Sequence, residues 1–142
     1  MKLGFKKVHP DAKLPSYAHD GDAGMDVCAV ETYTLAPNER HLFSTGLCVD
    51  IPTGYEIQVR SRSGLALKKG IFVLNSPGTI DESYVGIIGV ILMNLGEAPV
   101  VINTGDRIAQ LVVAPTTRVC PIEVNEIKET QRGAGGFGST GV

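Results

Sequence analysis

A carboxylate and a phenol stand three residues apart in the stretch 78–84, which contains Asp81 and Tyr84. Apolar runs at 71–74 and 85–93 flank this stretch. Their β-branched residues predict two strands joined as a hairpin, with the stretch at its tip. A carboxylate held at a rigid strand end beside an aromatic ring is a candidate general base next to a ring-shaped ligand. An aspartate in an Asx turn and a tyrosine half-buried in the sheet would explain the same residues.

Glycines surround this pair of side chains, at Gly78, Gly86 and Gly89. Because glycine lacks a Cβ, each of these positions lets another group approach the backbone closely. The hairpin is therefore a candidate binding surface.

A second group of residues, Arg62, Ser63 and Gly64, combines a guanidinium, a hydroxyl and the free backbone amides expected at the start of a helix. Together these donors form a candidate anion site. An ordinary helix cap, with Ser63 as the N-cap residue beside an exposed arginine, would explain them as well. Gln110, in the stretch 105–111, supplies a further backbone amide.

The glycine-rich segment 130–142 cannot build a regular element and is expected to be disordered in the free protein. Its G-x-G-x-x-G pattern at 133–138 is not followed by a helix, so it is not a dinucleotide fingerprint. Glycine amides, hydroxyls and one arginine can still wrap a phosphate chain, and an aromatic ring can stack on a base. The segment supplies Arg132, Phe137, Gly138, Ser139 and Thr140. We expect ligand binding to order this segment into a lid over the site. A flexible terminus is the common alternative for this composition.

Charge and cysteine content exclude several classes of function. A net charge of −2 provides no basic field for general nucleic-acid binding. Cys28, Cys48 and Cys120 have no metal-ligand spacing, and each is expected to be a small buried side chain in a reducing compartment. The sequence contains no apolar leader and no apolar run long enough to span a membrane, which favours the cytoplasm. G-x-S-x-G is also absent, so acyl transfer is unsupported.

The elements that must position these groups are short strands. Turn residues recur about every 8–12 residues, which is typical of a β-sandwich or barrel. The run 61–70 contains the one convincing helix, about two turns long, because good helix formers precede Gly70. Asp26 is expected to face outward, the common case on a half-buried strand. Predicted strands cover 3–8, 23–30, 33–35, 40–45, 47–51, 55–60, 71–74, 85–93, 100–102, 107–114 and 118–124.

Five motifs stand in order along the chain. They are Ala23-Gly24-Met25-Asp26, Arg62-Ser63-Gly64-Leu65-Ala66, Gly78-Thr79-Ile80-Asp81-Glu82-Ser83-Tyr84, Gly105-Asp106-Arg107-Ile108-Ala109-Gln110-Leu111 and the glycine-rich 132–141. Each alone is a weak signal. Together and in register, over nearly the whole chain, they resemble the motifs of the trimeric dUTP pyrophosphatase (dUTPase) family.

This resemblance implies an all-β, distorted jelly-roll homotrimer with three shared active sites. In the family, each site draws the second and fourth motifs from one chain, the third from another and the tail from the third chain. The implied division is a core at 1–129 and an arm at 130–142 that closes a neighbouring subunit's site. The implied reaction is hydrolysis of dUTP to dUMP and pyrophosphate, which keeps uracil out of DNA and supplies dUMP for dTMP synthesis.

The resemblance also implies a role for each candidate residue. Asp81 deprotonates the water that attacks the α-phosphorus, and Tyr84 lies against the deoxyribose and leaves no room for a 2′-OH. Mg²⁺ is the implied cofactor, carried mainly by the triphosphate, with Asp26 acting on it through water. The remaining ligands are Asn75, Gly78 and Gly89 for uracil, Arg62, Ser63, Gly64 and Gln110 for the phosphates, and Arg132, Ser139 and Thr140 around the γ-phosphate with Phe137 over the base. Gly138 is a further implied substrate-binding residue of the tail.

Two other functions remain open at this point. A dCTP deaminase of the same fold would release ammonia, but such enzymes are usually longer and lack the glycine-rich tail. A non-catalytic jelly roll, either structural or nucleotide-sensing, would not need Asp81. A virus-encoded enzyme would work inside the host cell rather than in its own cytoplasm.

Overall fold

Alternating apolar and polar residues, interrupted by glycine and proline, fold this chain into short β-strands. A computed structural model describes residues 1–141, which contain eleven strands and one helix. In chain order the strands are β1 (Gly4–Lys7), β2 (Met25–Cys28), β3 (Tyr33–Leu35), β4 (Arg40–Ser44), β5 (Leu47–Asp50), β6 (Tyr55–Arg60), β7 (Ile71–Val73), β8 (Gly78–Ile80), β9 (Gly89–Asn94), β10 (Val100–Ile102) and β11 (Arg107–Pro115). The predicted all-β class with one short helix is confirmed.

The strands form four antiparallel sheets. The largest has the order β2-β11-β6-β8, and a three-stranded sheet has the order β4-β9-β7. Two further pairs are β1-β5 and β10-β3. None of these sheets closes on itself among residues 1–141, so a β-sandwich describes the fold better than a barrel.

The core shows the alternation that the sequence predicts. Ile57 and Val59 on β6 and Leu111 on β11 are buried, while polar residues alternate with the two β6 residues. Phe43 is the one aromatic side chain among the buried residues of 1–141, so the core is almost entirely aliphatic. The largest sheet carries Asp26 on β2 and Gln110 on β11, and Asp81 directly follows its strand β8.

The helix α1 (Ser63–Lys69) lies where the sequence predicts it, and Gly70 ends it with a left-handed φ of 67°. The expectation that Ser63 is the N-cap residue is wrong. Arg62 occupies that position in an extended conformation and makes no side-chain cap hydrogen bond. The helix therefore begins only at Ser63, one residue after this extended arginine.

The predicted hairpin is correct in its strand pairing but not in its tip. β7 pairs with β9, yet the chain between them forms β8, which joins β6 in the largest sheet. The second strand begins at Gly89 rather than at residue 85. Residues 84–88 are a loop because the Tyr84 hydroxyl donates to the Ile87 carbonyl and the Ile88 amide donates to Leu47.

The chain beyond β11 has no strand or helix up to residue 141, so the predicted strand at 118–124 is wrong. Its apolar side chains, including Val119 and Ile122, are exposed because no other strand of the chain pairs with them. Cys120, expected to be buried, is exposed there too, whereas the other two cysteines are partly buried. The glycine-rich tail has no regular element, as predicted, and forms turns at 131–134 and 137–140; its last residue, Val142, lies outside the described residues.

Candidate active site

Asp26 joins two arginines at one end of the largest sheet. Its side chain is only 6% exposed, and its two oxygens accept hydrogen bonds from Arg62 Nε at 2.9 Å and Arg107 Nη1 at 3.0 Å. The expectation of an outward-facing Asp26 is therefore wrong. A buried carboxylate needs such partners, because burial without them would be costly.

Gln110 lies on the same sheet beside this group. On β11 it is opposite Asp26 on one side and Arg60 on the other. A Cβ built at Gly24 would come within 3.1 Å of the Gln110 side chain, so that glycine makes room for it. Arg62 also donates to the Arg107 carbonyl at 3.2 Å. We call Asp26, Arg62, Arg107 and Gln110 the arginine cluster.

The residues predicted to surround the nucleoside come together in a second place. Asn75, Asp81, Tyr84 and Gly89 line one cleft of about 270 Å³. Gly78 adjoins it, since a Cβ there would lie 3.2 Å from the Asn75 amide nitrogen. Leu42 on β4 completes the wall, and a Cβ at Gly89 would clash with its side chain. We call this space the nucleoside cleft.

Asp81 lies directly after β8 and is exposed to solvent. Its carbonyl accepts the Tyr84 amide at 3.0 Å, which closes a turn. The neighbouring Glu82 carboxylate accepts the Gly54 amide at 2.7 Å and fixes that turn to the loop before β6. Asp81 thus combines access to water with a backbone that is held on two sides.

The arginine cluster and the candidate base lie at opposite ends of β6. Ile57 is opposite Ile80, so Asp81 emerges where β6 begins, and Arg62 follows the point where β6 ends. At about 3.3 Å per residue, six residues of extended chain separate the two groups by roughly 20 Å. The structure therefore does not bring Arg62 and Asp81 of one chain together.

The tail residues form a third, separate group. The Arg132 guanidinium donates to the Gly135 carbonyl at 2.8 Å, and Ser139 and Thr140 line the same hollow. Phe137 is fully exposed. Within one chain the tail contacts neither the arginine cluster nor the nucleoside cleft among the contacts described for residues 1–141.

Sequence reasoning missed three residues that act at these places: Arg107, Glu82 and Leu42. Arg107 stands inside the fourth motif, and its charge is the signal that could have identified it. Glu82 and Leu42 act through partners far away in the chain, which no local pattern reveals.

Cys28 ends β2 close to the arginine cluster. Burial raises the pKa of this thiol above its ordinary value, although Lys13 opposes the effect. Burial thus disfavours the thiolate, which is the nucleophilic form. The described helix is too short to cross a membrane.

The comparisons with known proteins agree with this geometry. The dUTPase family model matches residues 10–141. The deoxyuridine 5′-triphosphate nucleotidohydrolase of Hydrogenobaculum is 53% identical to the chain, and the match covers all of this chain and 99% of the relative. The enzyme of the same name from Clostridium novyi is 54% identical, and the match covers all of both chains.

Solved structures give the same result. A dUTPase variant of Staphylococcus phage 80alpha, solved with dUpNHpp, is 30% identical, covers 99% of each chain and has a TM-score of 0.92. A phage phi11 dUTPase variant, described with a structural Mg(II) ion, is 27% identical over 91% of this chain and 100% of its own, with a TM-score of 0.83. The chain therefore belongs to the dUTPase family.

Proposed function

We propose that this protein hydrolyses dUTP to dUMP and pyrophosphate, with Asp81 as the general base. The observation that carries the proposal is the nucleoside cleft, in which an exposed carboxylate and a tyrosine ring line one wall in a chain of the dUTPase family. A base must reach the water that it activates, and the exposure of Asp81 allows this.

The reaction needs no covalent intermediate. A water oxygen forms a bond to the α-phosphorus, the bond from that phosphorus to the bridging oxygen breaks, and Asp81 accepts the proton of the water. Pyrophosphate leaves with the bridging oxygen. The raised pKa of Cys28 fits this scheme, because the thiol nearest the cluster is not activated.

The arginine cluster is suited to hold the phosphates. Asp26 fixes the Arg62 side chain, and guanidinium groups fixed in advance stabilise developing negative charge without reorganisation. Ser63 and Gly64 follow at the start of α1 and complete the proposed phosphate ligands with Gln110.

The nucleoside cleft is suited to hold uracil and deoxyribose. Asn75, Gly78 and Gly89 would read the base, largely through backbone groups, and the Tyr84 ring would lie against the sugar. A rigid ring in van der Waals contact with C2′ leaves no space for a ribose hydroxyl. The cleft would thereby select deoxyribonucleotides.

The separation of the two groups supports an active site shared between chains. The α-phosphorus must lie near both the base and the phosphate ligands, yet Asp81 and Arg62 of one chain are roughly 20 Å apart. We therefore propose a homotrimer in which one chain supplies Arg62 and Gln110, another supplies Asp81, and the third supplies the tail.

The tail would complete the site as an arm at 130–142 on a core at 1–129. Arg132, Gly138, Ser139 and Thr140 would surround the γ-phosphate, and Phe137 would stack on the base. The full exposure of Phe137 supports this role, because an isolated chain gives the ring nothing to cover it.

The residues present also fit a magnesium ion carried by the substrate. No three His, Cys, Asp or Glu side chains of residues 1–141 lie close enough together to hold a metal. Mg²⁺ prefers its own waters and phosphate oxygens to an all-protein cage. Asp26, with both oxygens bound to arginines, would reach such an ion only through water. When bound, the ion neutralises phosphate charge.

One assay tests the proposal. Pyrophosphate release is measured with dUTP, dTTP, dCTP and UTP in the presence of Mg²⁺, and ammonia release is measured with dCTP. We expect pyrophosphate from dUTP and little product from the others. Ammonia from dCTP would identify a deaminase, and the absence of any turnover would favour a binding protein. The proposal places the enzyme in the cytoplasm, which three free cysteines also suit.

A further inference from the structure

Gly86 lies directly beneath the Tyr84 ring. A Cβ built on Gly86 would lie 2.6 Å from the Tyr84 hydroxyl oxygen and 2.7 Å from Cζ, far inside van der Waals contact. Its φ is not in the left-handed region, so the backbone conformation does not require glycine. Glycine is required at this position because a Cβ would occupy the space of the Tyr84 ring.

The loop under the ring is firmly held. The Tyr84 hydroxyl donates to the Ile87 carbonyl at 2.9 Å. The next residue, Ile88, is buried, donates to Leu47 at 2.8 Å and accepts from both the amide and the hydroxyl of Thr45. The ring therefore rests on a fixed piece of backbone and is tied to it by its own hydroxyl.

Little else described in the chain restrains the Tyr84 ring. Its residue is 46% exposed and faces the nucleoside cleft. An added methyl group at position 86 would therefore move the ring rather than unfold the loop, because an exposed side chain can rotate away at low cost.

We propose that Gly86 is the residue that positions Tyr84 and thereby sets selectivity for deoxyribose over ribose. The inference rests on the proposed hydrolysis of dUTP. When the Tyr84 ring lies against the loop, the cleft wall fits a sugar without a 2′-OH. A ring displaced from this position no longer fits that sugar. UTP does not fit the cleft of the wild-type protein, so a displaced ring changes kcat/KM for UTP little.

The test compares Gly86→Ala with Gly4→Ala. Gly4 lies on the edge strand β1, and a Cβ there would meet its nearest neighbour at an ordinary 3.5 Å, so it is a matched control. We expect Gly86→Ala to lower the ratio of kcat/KM for dUTP to kcat/KM for UTP by about tenfold or more, mainly through KM. The melting temperature of Gly86→Ala should stay close to that of wild type. Gly4→Ala should keep both the wild-type melting temperature and the wild-type ratio.

A double-mutant cycle with Tyr84→Ala shows whether Gly86 acts through the ring. In that background Gly86→Ala should change the ratio no further, because the group it displaces is gone. An unchanged ratio in Gly86→Ala, or an equal fall in the Tyr84→Ala background, overturns the inference. Wild-type protein that released no pyrophosphate from dUTP would instead contradict the proposed function itself, and the inference with it.

Discussion

Asp26 and Arg62, 36 residues apart in the chain, are joined by a hydrogen bond of 2.9 Å from Nε to Oδ1. The other carboxylate oxygen holds Arg107 at 3.0 Å. One buried acid thus orients two cations, and Arg62, a proposed phosphate ligand, is already held in place within the free chain.

Asp26→Asn should weaken this arrangement without removing either arginine. A charge-assisted hydrogen bond stabilises by about 1.5–3 kcal/mol, so losing the charge should lower kcat/KM for dUTP by roughly tenfold to a hundredfold. Steady-state kinetics measure this. Asp50→Asn, at an exposed strand end, is the control and should match wild type. Normal kinetics in Asp26→Asn would show that the ion pair serves the fold alone.

Asp81→Asn should keep the fold and the binding of a non-hydrolysable dUTP analogue but lose turnover. Removal of a general base costs about 10²–10⁴-fold in rate. Calorimetry measures the binding and pyrophosphate release measures the turnover. Turnover within a few-fold of wild type would mean that another group takes the proton.

Complementation tests whether sites are shared. Asp81→Asn and Arg62→Ala chains should each be nearly inactive alone. Co-refolded mixtures should regain activity, because some sites then take Arg62 from one chain and Asp81 from another, roughly one site in three in a mixed trimer. Verified mixed trimers without any recovery would show that each site is built within one chain.

Loss of the tail should separate assembly from catalysis. Removing residues 130–142 should leave the melting temperature and the oligomeric state unchanged and should sharply reduce turnover, since no hydrogen bond described for residues 1–141 joins the tail to the rest of its own chain. Ordering each tail residue costs about 1–2 kcal/mol of backbone entropy, so a non-hydrolysable dUTP analogue should protect the tail from proteolysis better than dUMP does. Equal protection with and without nucleotide would contradict the lid.

The pair Tyr33 and Glu39 predicts a pH effect on stability. The Tyr33 hydroxyl donates to the Glu39 carboxylate and holds its pKa below the ordinary value of 4.5. A glutamate with a lowered pKa stabilises the fold above its unfolded pKa, and the contribution is lost as pH falls through the folded pKa. Thermal melts of wild type and Tyr33→Phe should therefore differ near neutral pH and converge in acid. A difference that grows in acid would contradict this assignment.

The sequence predicts local features well and long-range partners poorly. The α1 helix and the strand pairing of β7 with β9 follow from local composition. The path of β8 does not, because β6 lies some twenty residues earlier and only the packed fold brings it alongside. The outward-facing Asp26, expected because that is the common case on a half-buried strand, is wrong because its two partners are remote in sequence and no local pattern reveals them. Five motifs indicate the candidate site residues, but only the strand topology shows how far apart one chain holds them.

The strand β6 separates the arginine cluster from Asp81. Side chains alternate along a strand with period two, so β6 can lengthen only in steps of two residues without exchanging its core and surface faces. Each such step would move the arginine cluster away from Asp81 by about 7 Å. In the proposed homotrimer, that shift would be repeated at every proposed site. The length of this one strand therefore sets the distance at which one chain holds the arginine cluster and Asp81.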